Sequence, residues 1–346
     1  MGSIIRDEAI SIPVIDISDA NTNAPQQLLD AACNFGFVFV ANNSAGISKD
    51  LIAKLFAISE DFFALPTDTK QSVSISSNKA DKNHGWLSQG VEKLNPAMQQ
   101  RPDVKEAFNM SLPDSNGAYE QPFPPLIQDN IQAIKTFQFA CHTLCQRLLA
   151  HFATALHIDQ GWFTSRHDFV ATGKSHGSIF RLLYHPALNA ALHDDVDIRA
   201  GAHSDYSSLT CLFQLPGQPG LEILTPKGDW APVPVDPLGD GNLPILVNIG
   251  DLMQDWTGGL LKSTKHRVVF PTTDTDTSVG EKGGDRYSIA YFCHPLDDAV
   301  LEAVPSDVVR EHAAQQGGSI KEGKVVTARD HLMERLAATY SVQEGK

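Results

Sequence analysis

His203-Ser204-Asp205 leads through Tyr206 into a β-type run that ends at Gln214, and this stretch decides the reading of the chain. Residues i and i+2 of a strand share a face. His203 and Asp205 can therefore point together to one side of a strand mouth while Ser204 points away. His266 opens a second β run, His266-Arg267-Val268-Val269-Phe270, and can bring a third donor from a distant strand. Two imidazoles and one carboxylate can hold a metal on one octahedral face and leave the other positions open, as a non-haem Fe(II) oxygenase requires. The spacing alone carries little. His193-Asp194-Asp195 repeats it in a polar stretch with no strand behind it, which reads as a solvated loop. On its own His266 reads as a satisfied core histidine, and His203 with Asp205 reads equally as a surface pair. His176, His185 and His294 compete as donors, although His294-Pro295 ends a strand and is expected outside the pocket.

Outward from this stretch, residues 178 to 295 are short β-rich runs split by Gly and Pro: 179–185, 207–214, 221–224, 244–249, 266–270 and 286–292. Many short strands at such intervals predict a barrel or sandwich. Thr272 to Asp285 is polar and glycine-bearing, and reads as a solvent loop. Upstream, Ile12–Asp16 predicts a short strand, 25–34 a helix, Phe37–Val40 a buried strand, and Lys49–Leu65 a helix ended by Pro66. Residues 72 to 125 are expected to be irregular. A long helix is predicted from Leu126 to His157, with the stripe Ile127, Ile131, Ile134, Phe137, Leu144, Leu148 and Phe152 laid on a sheet. A final helix is predicted from Thr327 to Tyr340, with Leu332 and Leu336 on one face.

The 346 residues are 42% hydrophobic and 20% charged, enough for a full core. A net charge of −14 with no basic face argues against nucleic acid and against a polybasic membrane contact. No apolar run reaches the ~20 residues of a membrane span, and the first residues lack a signal-peptide profile. Five scattered cysteines do not suggest a disulfide framework. Cys141 and Cys145 fit one apolar helix face. The chain reads as cytoplasmic.

In Arg286-Tyr287-Ser288-Ile289-Ala290-Tyr291-Phe292, alternation puts Arg286, Ser288, Ala290 and Phe292 on one face. Arg286 offers a planar fork for a carboxylate and Ser288 a further donor. The competing reading is an outward arginine paired with Asp285 or Glu281.

These segments, in this order, resemble the 2-oxoglutarate- and Fe(II)-dependent dioxygenases of the isopenicillin N synthase-like family, in particular its fungal-type members. The resemblance rests on Ile12–Asp16, Gly36-Phe37-Val38, Gly85-Trp86, Asp103–Phe108, Gly201–Tyr206, Leu209-Thr210, Gly220-Leu221-Glu222, Val247–Asp251, Ser263–Val268 and Arg286–Phe292. It implies a mainly β fold with α: a double-stranded β-helix (jelly-roll) core with N-terminal helices, a long supporting helix and a C-terminal helix. The implied regions are 1–125, 126–177, a core at 178–296 and a helical tail at 297–346, packed as one unit.

By the same resemblance, His203, Asp205 and His266 would bind Fe(II). Arg286 and Ser288 would hold the distal carboxylate of 2-oxoglutarate. O2 is the second co-substrate, and ascorbate a candidate reductant. A co-substrate contact is carried over to His185, with its neighbour Tyr184 as the alternative. Trp86, Tyr206, Phe292 and either Phe180 or Arg181 are candidate substrate walls, with core packing as the competing reading of each. His266 and Arg286 lie 20 positions apart (286 − 266), wider than in many plant members.

The implied chemistry is oxidation of a C–H bond of a small organic molecule by hydroxylation, desaturation or ring formation, with release of succinate and CO2. Alternatives are a same-fold iron oxidase that does not consume 2-oxoglutarate, a nucleobase hydroxylase, and a non-catalytic jelly-roll binding protein. Oligomeric state is not legible.

Overall fold

The computed structural model describes residues 11–77, 83–95, 98–114, 116–187, 197–270, 284–316 and 326–340. His193-Asp194-Asp195 and most of the Thr272–Asp285 stretch lie outside the described residues.

Two sheets build the core. The larger runs in the order β1 (Val14–Ile15), β2 (Phe37–Val40), β10 (Ile245–Ile249), β7 (Leu209–Gln214), β12 (Arg286–Cys293), β5 (Ile179–His185), β4 (Glu106–Met110) and β3 (Gly85–Leu87). The smaller runs β6 (Ala200–His203), β11 (His266–Val268), β8 (Leu221–Leu224) and β9 (Trp230–Pro232). All pairings are antiparallel except β1 with β2.

The four apolar residues of β2 are explained by burial on both faces. Phe37 and Phe39 pack with Leu246, Ala200, Leu221, Ile223 and Val268 in the layer between the sheets. Val38 and Val40 point the other way, into the layer beneath the helices. This two-sheet sandwich with helices on its outer face is the jelly roll that the resemblance implied. Gly36 enters β2 at φ +69°, where an added Cβ would collide with the Lys262 carbonyl oxygen, so only glycine fits.

The Ile131–Ala155 helix lies across the large sheet because Ile134, Phe137, Cys141, Leu144, Cys145, Leu148 and Phe152 recur at helical spacing and are all buried. Phe137 meets Phe180 and Phe213 at ring-centroid distances of 5.5 and 4.9 Å. Each such side chain contributes roughly 1.5–3 kcal/mol of burial. Cys141 and Cys145 are core residues on this face.

The expected 126–157 helix is interrupted. A short Pro125–Asp129 turn precedes it, and Asn130 separates the two. The Asn130 side-chain amide donates to the Leu126 carbonyl, a local bond that competes with helix continuity. The expectation of irregular chain over 72–125 also needs correction, because β3 and β4 extend the large sheet there. The polar residue Glu106 disguises β4; it is buried because Lys70 and Trp86 satisfy it, each at 2.8 Å. Among the described residues, no helix is long and apolar enough to cross a membrane.

Candidate active site

Antiparallel pairing of β11 with β6 sets His266 directly opposite His203. Their rings stand 4.3 Å apart. Asp205, just beyond β6, turns its Oδ1 to within 3.8 Å of His203 Nε2 and 3.6 Å of His266 Nε2. One donor atom from each of the three residues falls within 4.8 Å of the others, and no other such group of three occurs among the described residues.

His203 and Asp205 are in the form that a metal would need. His203 Nδ1–H donates to the Gly201 carbonyl at 2.7 Å, which leaves the Nε2 lone pair facing the centre. Burial, and then the neighbouring His266 ring, bring His203 down to about 4, so it is neutral near pH 7. Burial alone would raise Asp205. His266 and His203 oppose it, with hydrogen bonds from Thr210 and Asn248, and hold the carboxyl below its ordinary range. Both of those hydrogen bonds are 2.7 Å and end on Oδ2, leaving Oδ1 for the centre. Two imidazoles and a carboxylate form a donor set that fits Fe(II).

Arg286 faces inward, not outward. It is 1% exposed and bonds Ser288 Oγ at 3.2 Å and Gln214 Oε1 at 3.1 Å. Asp285 instead accepts from Tyr184 Oη and the Ala187 amide, so the outward ion pair with Asp285 is not formed; Glu281 lies outside the described residues. Burial, and then the nearby Arg199, lower Arg286 to about 9, still cationic at neutral pH. No carboxylate among the described residues pairs with it, and its Nε has no partner. A buried, unpaired guanidinium is costly, and a dianionic ligand would satisfy it.

Strand alternation sorts the remaining candidates. On β5, Ile179, Arg181, Leu183 and His185 line a cavity of about 550 Å³ that also contains the His203–Asp205–His266 group, Arg286 and Ser288. His185 stands opposite Arg286 in register. Burial, and then Arg286, keep it well below the ordinary histidine range, hence neutral. Tyr184 points outward and stacks on Tyr287 at 4.9 Å. Phe180 points outward as well, into the helix layer, so it is not a cavity wall. Trp86 is also absent from the wall; its Nε1 is committed to Glu106 in the core. Tyr206, Phe292 and Arg181 do line the cavity.

His294, expected outside, lines the cavity, because β12 runs on to Cys293 and carries its end inward. Sequence reasoning also misses Asn109 and Ser111, at the end of the disguised β4, as lining residues. Leu332 and Leu336 are legible as one face of the Ala328–Tyr340 helix, and the surface they cover is this cavity. Leu332 sits on the bare α-carbon of Gly177, where a Cβ would approach it to 2.5 Å.

The buried histidines set an acid limit. His203 and His176 lie at about 4 and His294 at about 3, burial being the largest cause in each, against 6.5 for the free side chain. Their folded values are depressed, so their stabilisation is complete above about pH 6.5 and is lost as pH falls toward 4 and then 3. The metal-free protein should lose a few kcal/mol of unfolding free energy, in order of magnitude, between about pH 6.5 and roughly 4.5. A urea midpoint that stayed level across that range would contradict this.

The chain matches two family models: the non-haem dioxygenase N-terminal region described for morphine synthesis over residues 12–128, and the 2OG-Fe(II) oxygenase superfamily over residues 176–295. It is 32% identical to the UPF0676 protein C1494.01 of Schizosaccharomyces pombe, over 96% of this chain and 94% of that one. It is 29% identical to the 2-oxoglutarate-dependent dioxygenase htyE of Aspergillus rugulosus, over 88% and 90% of the two chains. The crystal structure of a full-length Neurospora crassa protein in complex with alpha-KG and thymine superposes with a TM-score of 0.77 at 26% identity, covering 96% and 98%. These matches favour the branch that consumes 2-oxoglutarate over the same-fold oxidase that does not. The chain belongs to the 2OG-Fe(II) oxygenase superfamily, and it is an enzyme that works with Fe(II) and 2-oxoglutarate.

Proposed function

We propose that His203, Asp205 and His266 hold the iron, that Arg286 and Ser288 receive the distal carboxylate of 2-oxoglutarate beside His185, and that the substrate is a small secondary metabolite. The observation that carries this reading is Arg286, fully buried and with no carboxylate partner among the described residues, on the same cavity as the His203–Asp205–His266 group. When bound, the iron, with 2-oxoglutarate and O2, supplies the oxidising power that attacks a substrate C–H bond, with succinate and CO2 released.

The chain's own residues orient and exclude. Gly201 fixes the His203 tautomer, and Thr210 with Asn248 fixes the Asp205 rotamer. Leu183, Leu212, Leu221 and Val268 give the inner cavity apolar walls that keep bulk water away. Tyr206, Phe292 and Arg181 are proposed to meet the substrate, with Leu332 and Leu336 above it.

A second reading, oxidation of a nucleobase, is favoured by the likeness to the Neurospora crassa protein, whose structure holds thymine. The test is succinate release by the Fe(II) enzyme across a library of secondary metabolites and nucleobases. One compound should raise succinate well above background and be itself oxidised. If no secondary metabolite did so, and thymine alone turned over, the second reading would replace the first. Absence of any iron-dependent succinate would remove both.

A further inference from the structure

A chain of buried charges runs from the substrate wall to the backbone that carries His203. Arg181 Nη2 lies 2.6 Å from Glu92 Oε2, which lies 3.1 Å from Lys105 Nζ; that ammonium lies 2.8 Å from Asp103 Oδ2. The side chains are 12%, 5%, 4% and 0% exposed in that order, so every member has lost most of its water. Burial opposes the ionisation of Glu92, but Arg181 and Lys105 outweigh it and hold its carboxyl well below the ordinary range.

The other oxygen of Asp103 bonds the segment that carries His203. Asp103 Oδ1 accepts from the Gly201 amide at 3.0 Å and from Gln99 Nε2 at 2.6 Å. The carbonyl of the same Gly201 accepts from His203 Nδ1. The Gln99 side-chain amide fills the place where a Cβ on Gly201 would go. The two segments are further tied by the Val104 amide on the Ile198 carbonyl at 2.9 Å. Buried ion clusters add little net stability compared with apolar packing, because desolvation offsets the attraction. Their value lies in a fixed arrangement, and this one ends two residues from a metal donor.

We propose that Asp103 is a positioning residue for His203, anchoring the Gly201 segment whose carbonyl orients the imidazole. This rests on the assignment of His203 as a metal ligand. Loss of a supporting partner of a ligating histidine typically costs about 10–100-fold in metal affinity.

The test uses the full chain and cobalt(II), whose ligand-field absorption reports donor geometry without turnover. Asp103→Ala removes a group one bond beyond the direct partner, so it should weaken cobalt binding up to about 10-fold and shift that absorption. Asp103→Asn keeps an acceptor for the Gly201 amide, and should stay well short of that loss. Lys70→Met breaks the separate buried pair of Lys70 with Glu106 and serves as the control. It should lower Tm and leave the cobalt spectrum unaltered. Equal cobalt affinity and spectrum in Asp103→Ala, or an equal loss in Lys70→Met, would overturn the proposal. Should Asp103→Ala fail to fold, Gln99→Leu decides, since it removes the donor that orients the same carboxylate. A shifted cobalt spectrum supports the proposal and an unshifted one overturns it. If the unchanged protein binds no cobalt, the metal-site assignment itself fails, and that result is distinct from all of these.

Discussion

Anaerobic addition of 2-oxoglutarate to the Fe(II) protein should produce a visible charge-transfer band, and His266→Ala should abolish both the band and turnover. His266 supplies one of three converging donors, from a strand of the small sheet that no other donor shares. Two remaining donors, both from the β6 segment, cannot enclose an octahedral face. The loss in metal affinity should exceed the ~10–100-fold that removing a supporting hydrogen bond costs. The fold should persist, because His266→Ala leaves the backbone pairing of β11 with β8 intact. A variant that kept full turnover would refute the ligand assignment.

Arg286→Gln should raise the KM for 2-oxoglutarate and leave metal affinity nearly unchanged. The guanidinium is buried and already fixed by Ser288 and Gln214, so it presents a rigid donor edge to an incoming carboxylate. Removing one partner of a buried, hydrogen-bonded charge pair costs about 2–5 kcal/mol, or roughly 30-fold to a few thousand-fold in affinity. Arg286→Lys should recover only part of this, since a compact ammonium cannot reproduce the planar fork. Titration of 2-oxoglutarate by the charge-transfer band measures the effect directly. An unchanged midpoint in Arg286→Gln would place the carboxylate elsewhere.

Much of the fold was legible because most core strands have strong local patterns. The runs 179–185 and 221–224 match β5 and β8 in extent, and the helix stripe through Phe137 and Leu148 is buried as its spacing required. β4 was not legible, because Glu106 and Asn109 break the apolar pattern that marks a strand. Their partners, Lys70 and Asn83, come from distant parts of the chain. The same limit hid Asn109 and Ser111 as cavity residues. Trp86 and Phe180 show the reverse error: large aromatic side chains suit a pocket wall and a core equally, and only the direction of the side chain separates the two.

By itself the sequence determined the types of the candidate donors, their order along the chain and the alternation that turns Arg286 and Ser288 to one face. Those follow from residue chemistry and the two-residue period of a strand. Tertiary structure alone decided that His266 stands across from His203, that His185 and not Tyr184 faces the cavity with Arg286, and that Arg286 has no acidic partner among the described residues. Each of these depends on which strands pair and in what register. Register is set by burial across the whole sheet, and a shift of one residue would turn every one of these side chains to the opposite face.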